Sequence, residues 1–335
     1  MGTLGRSGCA IGLLAVALAC TVAESASSVQ RIEASRMSMA SLYSIVAYAE
    51  RPDEARLTIE RALDEVDRID RLMSHYREES PLSRINREAA RGAVPVDREL
   101  FDFISLAVKY GADSDGAFDV TVGPLMKAWG FFRGEGRLPT DADLAKARSA
   151  TGLKHVTLNA RDRTIRFDRE GVEIDLGGIA KGYAVDRAVE ILRREGVPAA
   201  LVSAGGSTLY ALGKPPDRPH WTVAIQDPLD SRGLAFEVPL QNRALSISGV
   251  SEKFFELDGV RYSHIMDPRS GRPVQGVLSV LVQAPTGTAG DAIDNVLFVE
   301  GVERSRAFLR RHPGVEATFL LPAAKGKGWK RVGVP

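Results

Sequence analysis

The sequence predicts an α+β fold: a single globular unit with mixed or antiparallel sheets and flanking helices. Three observations predict it. Helical and strand-like patterns do not alternate strictly, as a doubly wound parallel sheet requires. Several strand-like runs are joined by short polar turns of the hairpin kind. No clean linker divides the chain, and 335 residues with 44% apolar content suffice for a substantial core.

In chain order, residues 1–28 read as a signal segment and residues 29–335 as the globular unit. Arg6 precedes an apolar run, Cys9 to Cys20, which is short for a bilayer span and is followed by small residues. Export from a bacterial cytoplasm to the periplasm is the expectation. "LAC" ending at Cys20 adds the expectation of a lipid anchor there, although Ala17 stands where a larger aliphatic residue is usual. The plainer reading is an Ala-rich tail. A strand-like stretch, Leu42–Tyr48, comes next. A helix from about Asp53 follows Pro52, with Ile59, Leu63, Val66, Ile69 and Met73 at helical spacing. "SHYREESPLSRIN" reads as an irregular loop. A second helix runs from about Asp97 to Gly111, with Leu100, Phe101, Ile104 and Val108 inward. "DVTVGPLMKAWGF" breaks at Gly123-Pro124, and "HVTLNARDRTIRFD" is a hairpin. The apolar run Val172–Leu176 reads as a strand entering a helix at Ile179. Further strands are expected near Ala199–Ser203, Trp221–Gln226, Leu234–Leu240, Ala244–Ser248, Arg261–Ile265, Val277–Gln283 and Ala317–Leu321. Helices are expected near Asp291–Val299 and Glu303–His312.

Charge and residue inventory exclude several functions. Lys plus Arg is 44 against 43 for Asp plus Glu, and no basic stripe stands out, so nothing points to nucleic acid. Both cysteines, Cys9 and Cys20, lie in the signal-like segment, which leaves the rest of the sequence without a thiolate ligand or nucleophile. His75, His155, His220, His264 and His312 show no metal-ligand pairing, so any metal must be held by oxygen.

Five stretches carry candidate chemistry. In "DLGGIAKG", glycines let main chain approach a ligand and the following helix offers unpaired amides. Lys181 in its first turn could meet a phosphate, and Asp175 could accept hydrogen bonds. The plainer reading is a tight turn with a small-residue packing face, Ala180, Ala184 and Ala188. In "GDAIDNVLF", Asp291, Asp294 and Asn295 fall at i, i+3 and i+4 on one helix face, a set of hard oxygens suited to Mg²⁺. The plainer reading is an acidic first turn after a cap at Thr286 or Thr288. In "YSHIMDPRSGRP", His264 could move a proton, given a pKa near neutrality. Tyr76 could stack on a flat ring, and "GAFD" at 116–119 could run its backbone past a ligand.

Taken together, "MSHYREESPLSRIN", "GAFDVTVGPLMKAWGF", "IDLGGIAKGYAVD", "LVSAGG", "SISG", "YSHIMDPRSGRPV" and "GDAIDNVLFVEG" occur in an order that resembles the ApbE family, the FAD:protein FMN transferases, over about residues 37 to 321. The resemblance implies an ApbE-like unit that binds FAD with Mg²⁺, transfers FMN to a threonine or serine of an acceptor protein and releases AMP. The acceptors it implies are exported redox carriers. Carried over by motif, Met39, Tyr76, Ala117, Phe118, Asp119, Asp175, Lys181 and His264 are FAD contacts. Gly178, through its carbonyl, with Asp291, Asp294 and Asn295, is the metal site, and His264 is the general base. Three positions depart from the family pattern: Asn295 in place of the common threonine, Ser207 in place of an acidic residue, and Val250 in place of aspartate or serine. Two rival readings remain: an FAD pyrophosphatase giving FMN and AMP, and a non-catalytic periplasmic flavin-binding protein.

Overall fold

A computed structural model describes residues 29–132, 134–324 and 328–335. The expected signal segment and Cys20 lie outside the described residues. Among the latter are seven helices: α1 (Pro52–Met73), α2 (Pro81–Glu88), α3 (Arg98–Asp113), α4 (Gly123–Ala128), α5 (Asp141–Ser149), α6 (Ala180–Arg194) and α7 (Gly287–Leu309). The central element is an eight-stranded sheet. Its strands, in spatial order, are Gln30–Ser38, Ser41–Ala49, Ala199–Ala204, Thr208–Leu212, Arg243–Gly249, Ser279–Ala284, Glu316–Pro322 and Trp329–Val334. Every neighbouring pair is antiparallel, so the α+β expectation holds.

Period-two alternation decides which side chain faces which layer. Along Ser41–Ala49, Tyr43, Ile45 and Ala47 enter the main core, while Val46 and Tyr48 face the other side. The main core lies under α1, α6 and α7, and α6 packs between the other two. The opposite face is covered by the ribbon Trp221–Gln226/Leu234–Leu240 through Trp221, Val223, Ile225 and Leu240. Thr208–Leu212 is buried at every position because both faces of the sheet are covered there. A third cluster, Leu125, Trp129, Phe131, Leu144 and Met266, joins α4 and α5 to the hairpin Phe254–Leu257/Val260–Ser263. Trp129 Nε1 donates to the Gly271 carbonyl at 2.9 Å and ties the turn after His264 to this cluster.

Several sequence expectations need correction. Val172–Leu176 is not a strand. It is an extended strap, apolar because it is buried, and a side chain supplies much of its pairing: Ile174 N–H donates to Asn86 Oδ1 at 2.8 Å and Asn86 Nδ2 to the Ile174 carbonyl at 2.9 Å, while Asp175 N–H donates to the Val120 carbonyl at 2.7 Å. The loop expected over "SHYREESPLSRIN" contains α2, started by Ser80, whose hydroxyl accepts from Ser83 N–H at 3.0 Å, and by Pro81 at the first helical position. The strand expected over Arg261–Ile265 ends at Ser263, one residue before His264. The two helices expected at the C-terminal side form one run that starts at Gly287 and breaks at Gly301, where φ is 67°.

α6 and α7 meet backbone to backbone. A methyl group on Gly182 would lie 2.1 Å from the Gly287 carbonyl oxygen, a contact that only a shift of one helix relieves. Gly182→Ala is therefore expected to cost about 1–3 kcal/mol by overpacking, read as a lower urea midpoint at unchanged slope. An unchanged midpoint would mean that the two helices separate freely.

Candidate active site

The candidate site is organised by the N-terminal turns of α7. Thr286 caps the helix, its hydroxyl accepting from Ala289 N–H at 3.1 Å. Asp186 of α6 adds a second clamp, accepting from Gly287 N–H at 2.6 Å, Thr288 N–H at 2.8 Å and the Thr288 hydroxyl at 2.6 Å. With the helix end satisfied this way, Asp291 and Asp294 do not serve as the solvated acidic first turn of the plainer reading. Both point inward, at 5% and 2% exposure.

Each carboxylate is held by groups distant in sequence. Asp291 Oδ2 accepts from Gly182 N–H at 2.6 Å, and Oδ1 from the hydroxyls of Ser246, at 2.7 Å, and Thr208. The Ser246 hydroxyl also lies 2.8 Å from Asp294 Oδ2, so its single proton bridges two carboxylates. Asp294 Oδ1 accepts from Asn295 Nδ2 at 2.9 Å, and the same amide reaches the Gly178 carbonyl at 3.3 Å. Burial raises both carboxyl pKa values. For Asp294 the neighbouring Asp291 charge pushes it further, well above the ordinary range. Lys181, in the first turn of α6, acts in the opposite direction on Asp291. Its ammonium donates to Ser207 Oγ at 2.5 Å rather than standing free.

The flanking residues sort by which atoms remain available. Asp175 lies on the strap, its Oδ1 accepting from Gly177 N–H at 2.8 Å and lying 3.3 Å from His75 Nδ1. Tyr76 is 53% exposed, with its ring 4.8 Å from that of Phe132 in a stacked arrangement. Asp119 is held on both oxygens: Oδ1 accepts from Thr121 N–H and hydroxyl, and Oδ2 from Leu153 N–H at 3.2 Å, which leaves Oδ2 one further lone pair. Ala117 and Phe118 are buried, and the Phe118 ring packs against Gly178. Met39 sits at the tip of the first hairpin with φ 50°, its sulfur accepting from the Tyr43 hydroxyl at 3.2 Å.

His264 departs from the expectation of a pKa near neutrality. Burial, helped by the charges of Lys253 and Lys181, pushes it down to about 4. Its Nδ1 is 3.2 Å from the Lys253 carbonyl, an acceptor only, so Nδ1 carries the proton and Nε2 keeps its lone pair. The ring is a neutral base above that pKa.

The donor set fits a hard divalent cation. Two buried carboxylates and the Gly178 carbonyl supply hard oxygens, the Asn295 side chain carries one more on the far side of its inward-facing nitrogen, no soft ligand is present, and a cation would offset the burial of the carboxylates. Among the described residues no group of three or more His, Cys, Asp or Glu side chains is placed to hold a metal. Such a cation would therefore need water or phosphate to complete its shell, as Mg²⁺ usually does. Sequence reasoning missed Ser246, Thr208, Gly182, Asp186 and His75. Ser246, Gly182, Asp186 and His75 lie inside the stretches "SISG", "IDLGGIAKGYAVD" and "MSHYREESPLSRIN", which carried a signal; Thr208 lies outside all of them.

The sequence model of the ApbE family matches residues 39–319. A curated FAD:protein FMN transferase of Salmonella typhimurium is 35% identical over 272 residues, 79% of this chain and 77% of that protein. The one of Escherichia coli K12 is 34% identical over 258 residues, 75% of this chain and 73% of that protein. Among solved structures, the ApbE protein of Thermotoga maritima superposes with a TM-score of 0.81 at 31% identity, covering 90% of this chain and 97% of that one. The flavin transferase ApbE of Vibrio cholerae superposes at 0.79 and 29% identity, covering 92% and 98%.

Two carboxyl groups buried in contact with one hydroxyl oppose folding, because each resists ionisation beside the other. Asp294→Asn, which removes one ionisable group and keeps an oxygen, is expected to raise stability in EDTA by about 0.5–2 kcal/mol. Thermal unfolding checks this, and a lowered melting temperature would show that the pair is not held against its own repulsion.

Proposed function

This chain belongs to the ApbE family and is a transferase, and we propose that it is a Mg²⁺-dependent FAD:protein FMN transferase acting on a threonine or serine of an acceptor protein. The observation that carries this reading is the Asn295 amide joining the Gly178 carbonyl, just before α6 and three residues from Lys181, to the buried Asp294 carboxylate, which shares the Ser246 hydroxyl with Asp291. The signal-like residues 1–28 support a periplasmic setting with a lipid anchor at Cys20, and exported redox carriers as acceptors.

In the proposed reaction the acceptor hydroxyl oxygen attacks the phosphorus of the FMN half of FAD. The bond from that phosphorus to the bridging oxygen breaks, and AMP leaves with the bridging oxygen. His264 Nε2 takes the hydroxyl proton, because a hydroxyl near its ordinary pKa is a poor nucleophile. Its Nδ1–H bond to the Lys253 carbonyl keeps the ring in the accepting tautomer. Lys181 leaves or shares Ser207 to meet the pyrophosphate charge. Tyr76 and Phe132 offer ring faces for a flat heterocycle. A bound divalent cation would neutralise the charge that grows on the phosphoryl oxygens.

The test uses the chain without residues 1–28, FAD, MgCl₂ and an acceptor domain bearing a threonine. An acceptor heavier by one FMN with matching AMP is the expected result. AMP with free FMN and unmodified acceptor would instead make the activity hydrolytic. No AMP with FAD bound would favour a carrier. His264→Ala is expected to lower transfer by roughly 10²-fold or more while FAD still binds. Equal loss of binding and turnover would leave His264 only a ligand-holding role. Because the pKa of His264 is lowered, its base form is lost only as pH falls through about 4. The acid limb of kcat/KM is therefore expected below pH ~5, not at the ordinary histidine value of about 6.5. Asp291→Ala should abolish Mg²⁺ dependence together with activity; retained Mg²⁺ stimulation would refute the metal assignment.

A further inference from the structure

Asn295 Nδ2 stands where three oxygens converge. It is 2.8 Å from the Asp291 carbonyl, 2.9 Å from Asp294 Oδ1 and 3.3 Å from the Gly178 carbonyl. All three are acceptors. An amide group has the same shape with its oxygen and nitrogen exchanged, and only the hydrogen-bond partners decide between the two. Here they decide for nitrogen, since the amide oxygen in this place would face two carbonyls and a carboxylate without a proton between them. The amide thus lends two N–H groups to a cage of oxygens. Two of those oxygens, from Gly178 and Asp294, are ones the proposed Mg²⁺ would need.

We propose that the Asn295 amide is a built-in competitor of the cation, which must turn the amide over before it can bind. The inference rests on the Mg²⁺ reading above and deepens it. A lone pair directed at an N–H cannot also be directed at a metal. Cation entry therefore releases Nδ2 from the Gly178 and Asp294 oxygens, and rotation about the terminal side-chain bond brings Oδ1 round to join them. That bond is a broad sp³–sp² torsion, so the rotation itself meets little resistance. The cost is the exchanged hydrogen bonds, which weakens cation binding by about tenfold for each bond lost net. The benefit is that Gly178 on the strap stays tied to α7 whether or not a cation is present.

The test reads the amide directly. The chain has four asparagines, Asn86, Asn159, Asn242 and Asn295, so ¹⁵N-asparagine labelling gives few side-chain signals. Asn295→Asp assigns its own pair by loss. The labelled protein is titrated with MgCl₂, first alone and then with FAD, and melting temperature is followed in parallel. The Asn295 pair is expected to shift in step with the Mg²⁺-induced rise in melting temperature, and to exchange with water at least about tenfold faster as its N–H groups are released. The Asn86 pair, held on Ile174, is expected to stay in place as an internal reference. Asn295→Asp is expected to melt lower than the parent in EDTA and to gain more from Mg²⁺. A Mg²⁺-induced rise in melting temperature with the Asn295 pair unmoved would overturn the competitor role and leave the metal reading standing. No rise and no shift, with or without FAD, would overturn both.

Discussion

The backbone contact between Gly182 and Gly287 is the constraint on which the rest of the site depends. It lets α6 and α7 approach closely enough for Gly182 N–H to reach Asp291 and for Asp186 to reach the first amides of α7. The same approach brings the Gly178 carbonyl, two residues before α6, within reach of Asn295. A side chain at either glycine would push all of these pairs apart at once. The site is therefore set by main chain, and its acidic side chains occupy positions the two helices already define.

The electrostatics follow from that geometry. Asp291 and Asp294 are taken out of water next to one another, an arrangement that is unfavourable unless hydroxyls, amides or a cation compensate it. Ser246, Thr208, Gly182 and Asn295 provide partial compensation. The chain thus holds two adjacent carboxyl groups where stability alone would place none, which is the usual mark of a site kept for chemistry. His264 shows the converse: burial next to two lysines keeps it uncharged, so it offers a lone pair at pH values where a surface histidine would be partly protonated.

What could be read in the sequence was whatever rests on local periodicity. The i, i+3, i+4 spacing of Asp291, Asp294 and Asn295 follows from helix geometry, and the cap at Thr286 from residue type. The distant partners of Asp291 and Asn295 lie 45 to 117 residues away, and no local pattern points to them. The Val172–Leu176 run was apolar for a reason unrelated to a ladder: it is buried, and its partners are the Asn86 side chain and the single carbonyl of Val120. α2 carried its start signal, Ser80-Pro81, but a charged stretch masked it. α5 buries only Leu144 and Ala147, too few for a helical period. The lowered pKa of His264 was unreadable because desolvation is a property of the folded surroundings. The seven ordered motifs, by contrast, were enough to point to the family.

The tie between Asn86 and Ile174 has a consequence for how this part of the chain is ordered. Those two hydrogen bonds join residues 88 positions apart and dock the strap on α2, and Asp175 N–H adds a bond to the Val120 carbonyl at 2.7 Å. The eight-stranded sheet has its own ladders and does not rely on these contacts. The strap that carries Asp175 and leads into Gly178 can therefore loosen as a unit smaller than the whole protein, because so few bonds hold it.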